Sequence, residues 1–113
     1  MEKLLWLDDM RDPYTRTWVE DFSPIGFNVD INWVKNYSEF IEWIEINGLP
    51  DAICFDHDLG IGNTGYDCAK WLVDFCMDNH FKLPIYNIQS SNGVGIENID
   101  MLFKNYIKYV ENI

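Results

Sequence analysis

The chain has 113 residues, of which 48% are hydrophobic and 16% are aromatic. This length and composition predict one globular domain over residues 1–113 and exclude intrinsic disorder. The apolar runs are too short to cross a membrane, and the N-terminus lacks the apolar stretch of a signal peptide, so we expect a cytoplasmic protein. The odd number of cysteines, without CxxC spacing, predicts buried thiols and supports neither a disulfide framework nor a zinc site.

The net charge of −11 results from 19 acidic and 8 basic residues. Such a surface repels the backbones of nucleic acids at long range, so we expect no binding to bare DNA or RNA. The same acidity can mimic nucleic acid for a basic protein partner, or it can simply keep a small protein soluble.

The first predicted element is a buried strand over Lys3–Leu7, a short apolar run that ends at two aspartates. Asp12-Pro13 then has the pattern of a helix N-cap followed by proline at the first helical position. A short helix follows, with three apolar residues on one face (Trp18, Val19 and Phe22). Ser23–Gly26 is a predicted turn.

Between Phe27 and Val34, apolar and polar residues alternate, which predicts a half-exposed strand at a sheet edge. Ser38 is the predicted cap of the next helix, and Asn47-Gly48 is its predicted end. The apolar face of this helix consists of Phe40, Ile41 and Ile44.

Ala52–Phe55 is a second buried strand, and the Gly60–Gly65 loop leads into a helix with apolar residues at i, i+3, i+4 and i+7 (Ala69, Leu72, Val73 and Cys76). Pro84–Ile88 has the composition of a third buried strand, with proline tolerated at its start. The last helix has a continuous apolar stripe (Ile99, Leu102, Phe103, Tyr106 and Val110).

Four β-α units in alternation predict an α/β fold with a parallel sheet and helices on both faces. With Phe27–Val34 at an edge, the four strands take the order 2-1-3-4 of the flavodoxin-like three-layer sandwich. The first and third strands are then central neighbours. Their carboxyl ends open into the crevice where ligands bind in such sheets.

Acidic residues follow both central strands, with Asp8 and Asp9 after the first and Asp56 after the third. Carboxylates that converge in this way raise one another's pKa unless a cation compensates. Mg²⁺ and Mn²⁺ favour such oxygen ligands, so the pattern predicts a divalent metal site. The alternative is that Asp8 caps a turn and Asp56 is a solvated strand end.

Asp58 lies two residues beyond Asp56, so in an extended chain both carboxylates point the same way and His57 points the opposite way. Asp58 is therefore a candidate base for the activation of water, and His57 is a candidate proton donor. His57 is equally well interpreted as a structural histidine packed against a helix.

The segment Ser90-Ser91-Asn92 precedes two glycines and a helix. Backbone amides at a helix N-terminus, together with hydroxyl and amide side chains, favour phosphate binding. The same residues are also ordinary helix caps. Arg11 is the cation nearest to the aspartates in sequence; it either holds a phosphate or pairs with Asp9 or Asp12.

These motifs resemble the receiver domain of response regulators, in which Asp8 and Asp9 match the metal-binding pair, Asp56 matches the phospho-accepting aspartate and Ser90 matches the hydroxyl residue after the fourth strand. In this comparison the fifth strand and its lysine are expected to be absent, which disfavours orthodox aspartyl-phosphate signalling.

The sequence is more similar to a divergent branch, the cyclic-phosphate processing receiver-like domains of bacteria and phages. The similarity is carried by four motifs: Leu7–Pro13, Phe55–Gly60, Thr64–Asp67 and Ser90-x-Asn92 with Asn98-Ile99. The resemblance implies a role on cyclic or terminal phosphates of nucleotides or RNA. Similar proteins carry histidine directly before the Ser-x-Asn motif, where this chain has Gln89, and glutamine cannot transfer a proton near neutral pH.

We therefore expect metal-dependent binding and hydrolysis of a nucleotide or RNA-terminal phosphoester. The expected ligands of Mg²⁺ or Mn²⁺ are Asp8, Asp9 and Asp56. The expected phosphate-binding residues are Arg11, Ser90, Ser91 and Asn92, and the candidate catalytic residues are Asp58, His57 and Gln89. One alternative is a binding protein without turnover, such as a phage decoy for a nucleotide signal or an acidic inhibitor of a host protein. A second alternative is an aspartyl-phosphate signalling module.

Overall fold

The computed structural model describes residues 1–15 and 17–112. Four strands form one parallel sheet in the order β2-β1-β3-β4, which confirms the predicted fold class and strand order. The strands are β1 (Lys3–Leu7), β2 (Asp30–Val34), β3 (Ala52–Phe55) and β4 (Ile85–Ile88).

The helices flank the sheet and are α1 (Trp18–Phe22), α2 (Tyr37–Asn47), α3 (Gly65–Asn79) and α4 (Gly93–Glu111). Side chains of β1 alternate between two cores, with Leu5 and Leu7 in the larger and Leu4 and Trp6 in the smaller. The larger core receives the apolar faces of α2, α3 and α4, while α1 contributes Val19 to the smaller one. The three cysteines are buried, free thiols, as predicted. Within the described residues, no helix is long and apolar enough to span a membrane.

The strand register aligns the carboxyl ends of β1, β3 and β4. Leu7 is paired with Phe55, and Phe55 is paired with Ile88. The ladder continues one residue further, since the backbone N–H of Asp56 donates to the Leu7 carbonyl (3.0 Å) and that of Gln89 donates to the Phe55 carbonyl (2.8 Å). The polar residues after these strands therefore begin at one level of the sheet.

Two predicted helix starts are wrong. Asp12-Pro13 lies in a turn, in which the Asp12 carboxylate accepts the Tyr14 N–H at 2.8 Å, and α1 begins only at Trp18. The cap of α2 is Asn36 rather than Ser38, because Asn36 has an extended backbone and its side-chain oxygen accepts the Glu39 N–H at 2.9 Å. The predicted end of α2 at Asn47-Gly48 is confirmed.

Both outer strands differ from their predictions. β2 begins at Asp30, and Phe27, expected within it, is 68% exposed. β4 was expected to be buried, yet Ile85 is 57% exposed. The reason is its position, because β4 is the outermost strand of the described sheet and has a neighbour only on the β3 side. An apolar composition alone does not distinguish a central strand from an outer one.

Candidate functional site

Three carboxylates converge at the carboxyl edge of the sheet. One oxygen each from Asp8, Asp9 and Asp56 lies within 4.8 Å of the other two. Asp8 is fully buried and Asp56 is 5% exposed. The structure thus brings together the three residues predicted as metal ligands, because β1 and β3 are neighbours and end at the same level.

The Asp8 carboxylate is held by the loop that follows it. Its Oδ1 atom accepts the backbone N–H groups of Met10 (2.9 Å) and Arg11 (2.8 Å). Its Oδ2 atom accepts Nη1–H of Arg11 at 3.0 Å. Arg11 therefore pairs with Asp8. The predicted alternative was a pair with Asp9 or Asp12.

Burial is the main cause that raises the pKa of Asp56 to about 7, and the neighbouring Asp8 carboxylate adds to it. The backbone N–H of Asp58 and the guanidinium of Arg11 act in the opposite direction. The Asp58 N–H lies 3.4 Å from Asp56 Oδ1, and Arg11 Nη1 lies 4.0 Å from Asp56 Oδ2. Within the described residues, Arg11 alone forms ion pairs with the cluster, which leaves it short of positive charge.

Asp58 belongs to a polar network with His57 and Asn92. Its Oδ1 atom lies 2.9 Å from Nδ1 of His57 and accepts Nδ2–H of Asn92 at 3.4 Å. The hydrogen bond with His57, and then that with Asn92, lowers the pKa of Asp58. Asp58 is consequently an exposed, ionised carboxylate at the rim of the site.

The His57 ring packs against the start of α4. A Cβ atom on Gly95 would lie only 2.4 Å from the ring, so glycine makes this contact possible. Gly95 also donates its N–H to Asn92 Oδ1 at 2.9 Å, which caps the helix. The structure thus agrees with the interpretation of His57 as a histidine packed on a helix. Asn92, expected to bind phosphate, forms hydrogen bonds within the protein.

The two serines of the β4–α4 loop differ in their surroundings. Ser90 is half-buried, and its Oγ accepts the Asn92 N–H at 3.1 Å, so it holds the loop. Ser91 is exposed and lines a pocket of about 380 Å³ together with Asp9, Met10, Arg11, Asp56, Asp58 and Gly60. Of the predicted phosphate-binding residues, Arg11 and Ser91 therefore line the pocket.

Gln89 is fully buried and does not line this pocket. Its Nε2–H donates to the Leu7 carbonyl at 3.2 Å, so the side chain links the end of β4 to the end of β1. Its Oε1 atom has no hydrogen-bond partner among the described residues. Because Gln89 has no exposed surface, it cannot contact a ligand in this conformation. Its hydrogen bond instead connects two of the strands that carry the site.

Two tryptophans that the sequence did not identify hold the loop after β1. Nε1–H of Trp6 donates to the Arg11 carbonyl at 2.9 Å, and Nε1–H of Trp33 donates to the Asp8 carbonyl at 2.7 Å. The Arg11 guanidinium lies 5.6 Å from the centre of the Trp18 ring. Aromatic residues in apolar runs predict core packing, so no pattern distinguished these indoles as loop supports.

The arrangement can bind a hard cation beside a small anion. Three carboxylate oxygens offer the ligand type that Mg²⁺ prefers, and a guanidinium and a hydroxyl stand at the same pocket. An ionised carboxylate at the rim adds a proton acceptor. Groups of these kinds take part in metal-assisted reactions at phosphoryl centres.

Comparisons with known proteins show the family and the fold of this chain. The family model of the cyclic-phosphate processing receiver domain matches residues 3–105. A solved structure, described as a yeast Spc42 trimeric coiled coil fused to another structure, is similar over 97% of this chain and 76% of that chain, with a TM-score of 0.61 and 18% sequence identity. At that identity the likeness shows the fold alone. A search of curated proteins found no match.

Proposed function

Since this chain belongs to the cyclic-phosphate processing receiver domain family, which gives it a phosphoryl-related role, we propose that its acidic pocket binds Mg²⁺ or Mn²⁺ and hydrolyses a nucleotide or RNA-terminal phosphoester. The observation that carries the proposal is the convergence of the Asp8, Asp9 and Asp56 oxygens within 4.8 Å of one another. The pocket above them contains Arg11 and Ser91, which can donate hydrogen bonds to a phosphate.

The residues present fit a divalent cation. All three candidate ligands are oxygen donors, and two of them are almost completely buried. Burial, and then the neighbouring Asp8 carboxylate, raise the pKa of Asp56, and a bound cation would favour the ionised form that both disfavour. Asp8, Asp9 and Asp56 would hold the ion, with water and substrate oxygens as its remaining ligands.

Each remaining residue has a defined part in the proposed hydrolysis. When bound, the cation supplies Lewis-acid polarisation of a phosphoryl oxygen. Arg11 and Ser91 orient the phosphate. Asp58 accepts a proton from the water whose oxygen forms the new bond to phosphorus, and the released ester oxygen takes up a proton from solvent. His57 and Asn92 hold the Asp58 carboxylate in place through the hydrogen bonds described above.

A binding protein without turnover is the second candidate. Gln89 cannot transfer a proton, and the residues that line the pocket in the described part of the chain include no histidine. A decoy for a nucleotide signal needs the same metal and phosphate contacts but no proton transfer. The net charge of −11 also allows an acidic inhibitor of a basic host protein.

The test combines metal binding with a substrate panel. Millimolar Mg²⁺ or Mn²⁺ is expected to raise the melting temperature of the wild type and of Asp74→Asn, an exposed control on α3, but not of Asp56→Asn. The panel contains 2′,3′-cyclic and 3′,5′-cyclic nucleotides and RNA with terminal phosphates, analysed by chromatography with Mn²⁺. Turnover supports the enzyme, whereas micromolar binding without turnover supports the decoy. The phosphoester proposal fails if neither metal changes the melting temperature of the wild type and no member of the panel binds or is cleaved.

A further inference from the structure

Asp8 and Asp56 are the two most buried carboxylates of the cluster, and in both of them Oδ1 accepts a backbone N–H from the loop that follows. In Asp8, Oδ1 is occupied by the N–H groups of Met10 and Arg11, and in Asp56, Oδ1 lies 3.4 Å from the Asp58 N–H. Each carboxylate thus uses one oxygen to hold the loop that follows its own strand. Two N–H donors use both lone pairs of Asp8 Oδ1, so Asp8 offers only Oδ2 to a ligand from outside the loops, whereas Asp56 offers Oδ2 and the more weakly bonded Oδ1.

Both Oδ2 atoms face the same guanidinium nitrogen. Nη1 of Arg11 lies 3.0 Å from Oδ2 of Asp8 and 4.0 Å from Oδ2 of Asp56. Its N–H group therefore competes with a cation for Oδ2 of Asp8. A divalent cation such as Mg²⁺ binds carboxylate oxygens at about 2.0–2.1 Å, too close for the same lone pair to serve an N–H donor as well.

We propose that Arg11 is the internal counter-ion of this cluster, that a divalent cation replaces it at Asp8 and Asp56, and that the released guanidinium then holds the phosphate. The inference rests on the proposed function, because it assumes the metal site. The Arg11 side chain is 25% exposed and its guanidinium lies over the Trp18 ring, so its end can turn towards the pocket that it already lines without opening the core.

The proposal predicts an order of binding, in which the metal binds before the phosphate. Before metal binding, a phosphate would meet three carboxylates and an arginine whose Nη1 group is paired with Asp8. After metal binding, Nη1 is also free to donate, and the divalent cation offsets two of the three carboxylate charges. Metal and phosphate should therefore bind with positive cooperativity, and each should raise the affinity for the other by the same factor.

The first measurement is Mg²⁺ affinity by isothermal titration calorimetry. Arg11→Gln removes the competing donor, and a hydrogen bond to a charged group corresponds to about a tenfold or larger change in an equilibrium constant, so we expect at least tenfold tighter Mg²⁺ binding. Lys35→Gln is the matched control. It removes one charge just beyond β2, where the ammonium lies 4.3 Å from the centre of the Trp33 ring, and should change Mg²⁺ affinity less than about threefold, as for a screened surface charge.

The second measurement is the affinity for inorganic phosphate, with and without saturating Mg²⁺. In the wild type, Mg²⁺ should tighten phosphate binding at least tenfold. In Arg11→Gln, that gain should shrink to less than about threefold, because the donor that metal binding releases is gone. Arg11→Lys keeps one positive charge, so it should recover part of the gain. This variant also serves if Arg11→Gln does not fold without metal.

The outcomes separate the two proposals. If Mg²⁺ binds neither the wild type nor any variant, the metal site fails and the inference fails with it. If Mg²⁺ binds the wild type and Arg11→Gln equally well, the metal site stands and the role of Arg11 is overturned. Equal tightening in Arg11→Gln and Lys35→Gln would also overturn it, because general charge would then explain the effect.

Discussion

The Cα atom of Gly65 packs directly against the backbone carbonyl of Asp56. A Cβ atom built on Gly65 would lie 1.9 Å from the Asp56 carbonyl oxygen, and the Gly65 N–H donates to the His57 carbonyl at 2.8 Å. Gly65, the first residue of α3, therefore supports the backbone of Asp56 and His57. No larger residue fits without moving that backbone.

Gly65→Ala should destabilise the protein and weaken its metal binding. Overpacking of a well-packed site costs about 1–3 kcal/mol, and here the clash is with backbone, so we expect a cost of about 3 kcal/mol. Urea denaturation and Mg²⁺ titration measure the two effects. Gly93→Ala is the control, since a Cβ there meets no atom within 4 Å and alanine favours the helix. Equal behaviour of the two variants would contradict the proposed support.

The pKa of Asp56 leads to a pH-dependent prediction in EDTA. Its folded-state pKa is about 7 against an ordinary value of 3.8, so between these values the folded protein binds more protons at this site than the unfolded chain. This contribution to stability is complete below pH 4 and is lost as the pH rises to 7. Asp56→Asn lacks that loss. Above pH 7, the free energy of unfolding of Asp56→Asn should exceed that of the wild type by up to about 4 kcal/mol, at about 1.4 kcal/mol for each pKa unit.

The measurement is the free energy of unfolding of both proteins from pH 4 to pH 8. The two curves should lie closest at pH 4 and separate as the pH increases, and Mg²⁺ should reduce the separation by stabilising only the wild type. Asp8→Asn should behave differently and lose stability, because its carboxylate accepts two backbone N–H groups and the guanidinium of Arg11. A constant gap between Asp56→Asn and wild type would contradict the prediction.

Asp58 and His57 should have separable roles in any turnover. Asp58→Asn removes the proposed proton acceptor, and a positioned base contributes about 10²–10⁴-fold, so turnover should drop by that factor while Mg²⁺ affinity stays within about threefold. His57→Ala should lower turnover less than tenfold, because water can replace its hydrogen bond to Asp58. The acid limb of the pH–rate profile should move to higher pH, since the hydrogen bond with His57 is the main cause of the lowered pKa of Asp58. Unchanged turnover in Asp58→Asn would remove Asp58 from the mechanism.

The two central strands and the convergence of the carboxylates were predictable, because both follow from short-range patterns and from the geometry of parallel sheets. Lys3–Leu7 and Ala52–Phe55 each end in aspartates, and parallel pairing places those aspartates side by side. The partner of Arg11 was not predictable in this way. Its contact with Asp8 depends on a tight turn in which the N–H groups of residues 10 and 11 bind the same carboxylate, and composition does not report such a turn.

The burial of the Gln89 side chain could not be predicted from the sequence either. The residue follows an apolar strand and precedes Ser-x-Asn, a pattern that suggests exposure at the site. The side chain is instead fully buried and donates a hydrogen bond to the carbonyl of Leu7, a residue 82 positions away. Tertiary contacts of that range leave no local pattern, and the same holds for the contact between His57 and Gly95.

Gln89→His tests the consequence of this burial. If the side chain stays enclosed, histidine cannot reach the substrate and turnover should change less than tenfold, while stability falls because the ring does not match the glutamine shape. Gln89→Leu should remain within about 1 kcal/mol of the wild type, because the Leu7 carbonyl keeps its bond from the Asp56 N–H and an unpaired oxygen is lost. A rate gain of a hundredfold or more in Gln89→His would instead place this position in contact with the reacting groups.

The two indole N–H bonds to the Asp8 and Arg11 carbonyls give this site an intrinsic optical reporter. The emission of an indole depends on the hydrogen bond at its nitrogen and on nearby charges, and Trp6 and Trp33 are attached to the very loop that carries Asp8 and Arg11. A movement of the Arg11 guanidinium off the Trp18 ring should add to the change. Fluorescence during a Mg²⁺ titration should therefore follow the loop without any label. The signal should disappear in Asp56→Asn, where the cation has lost its site.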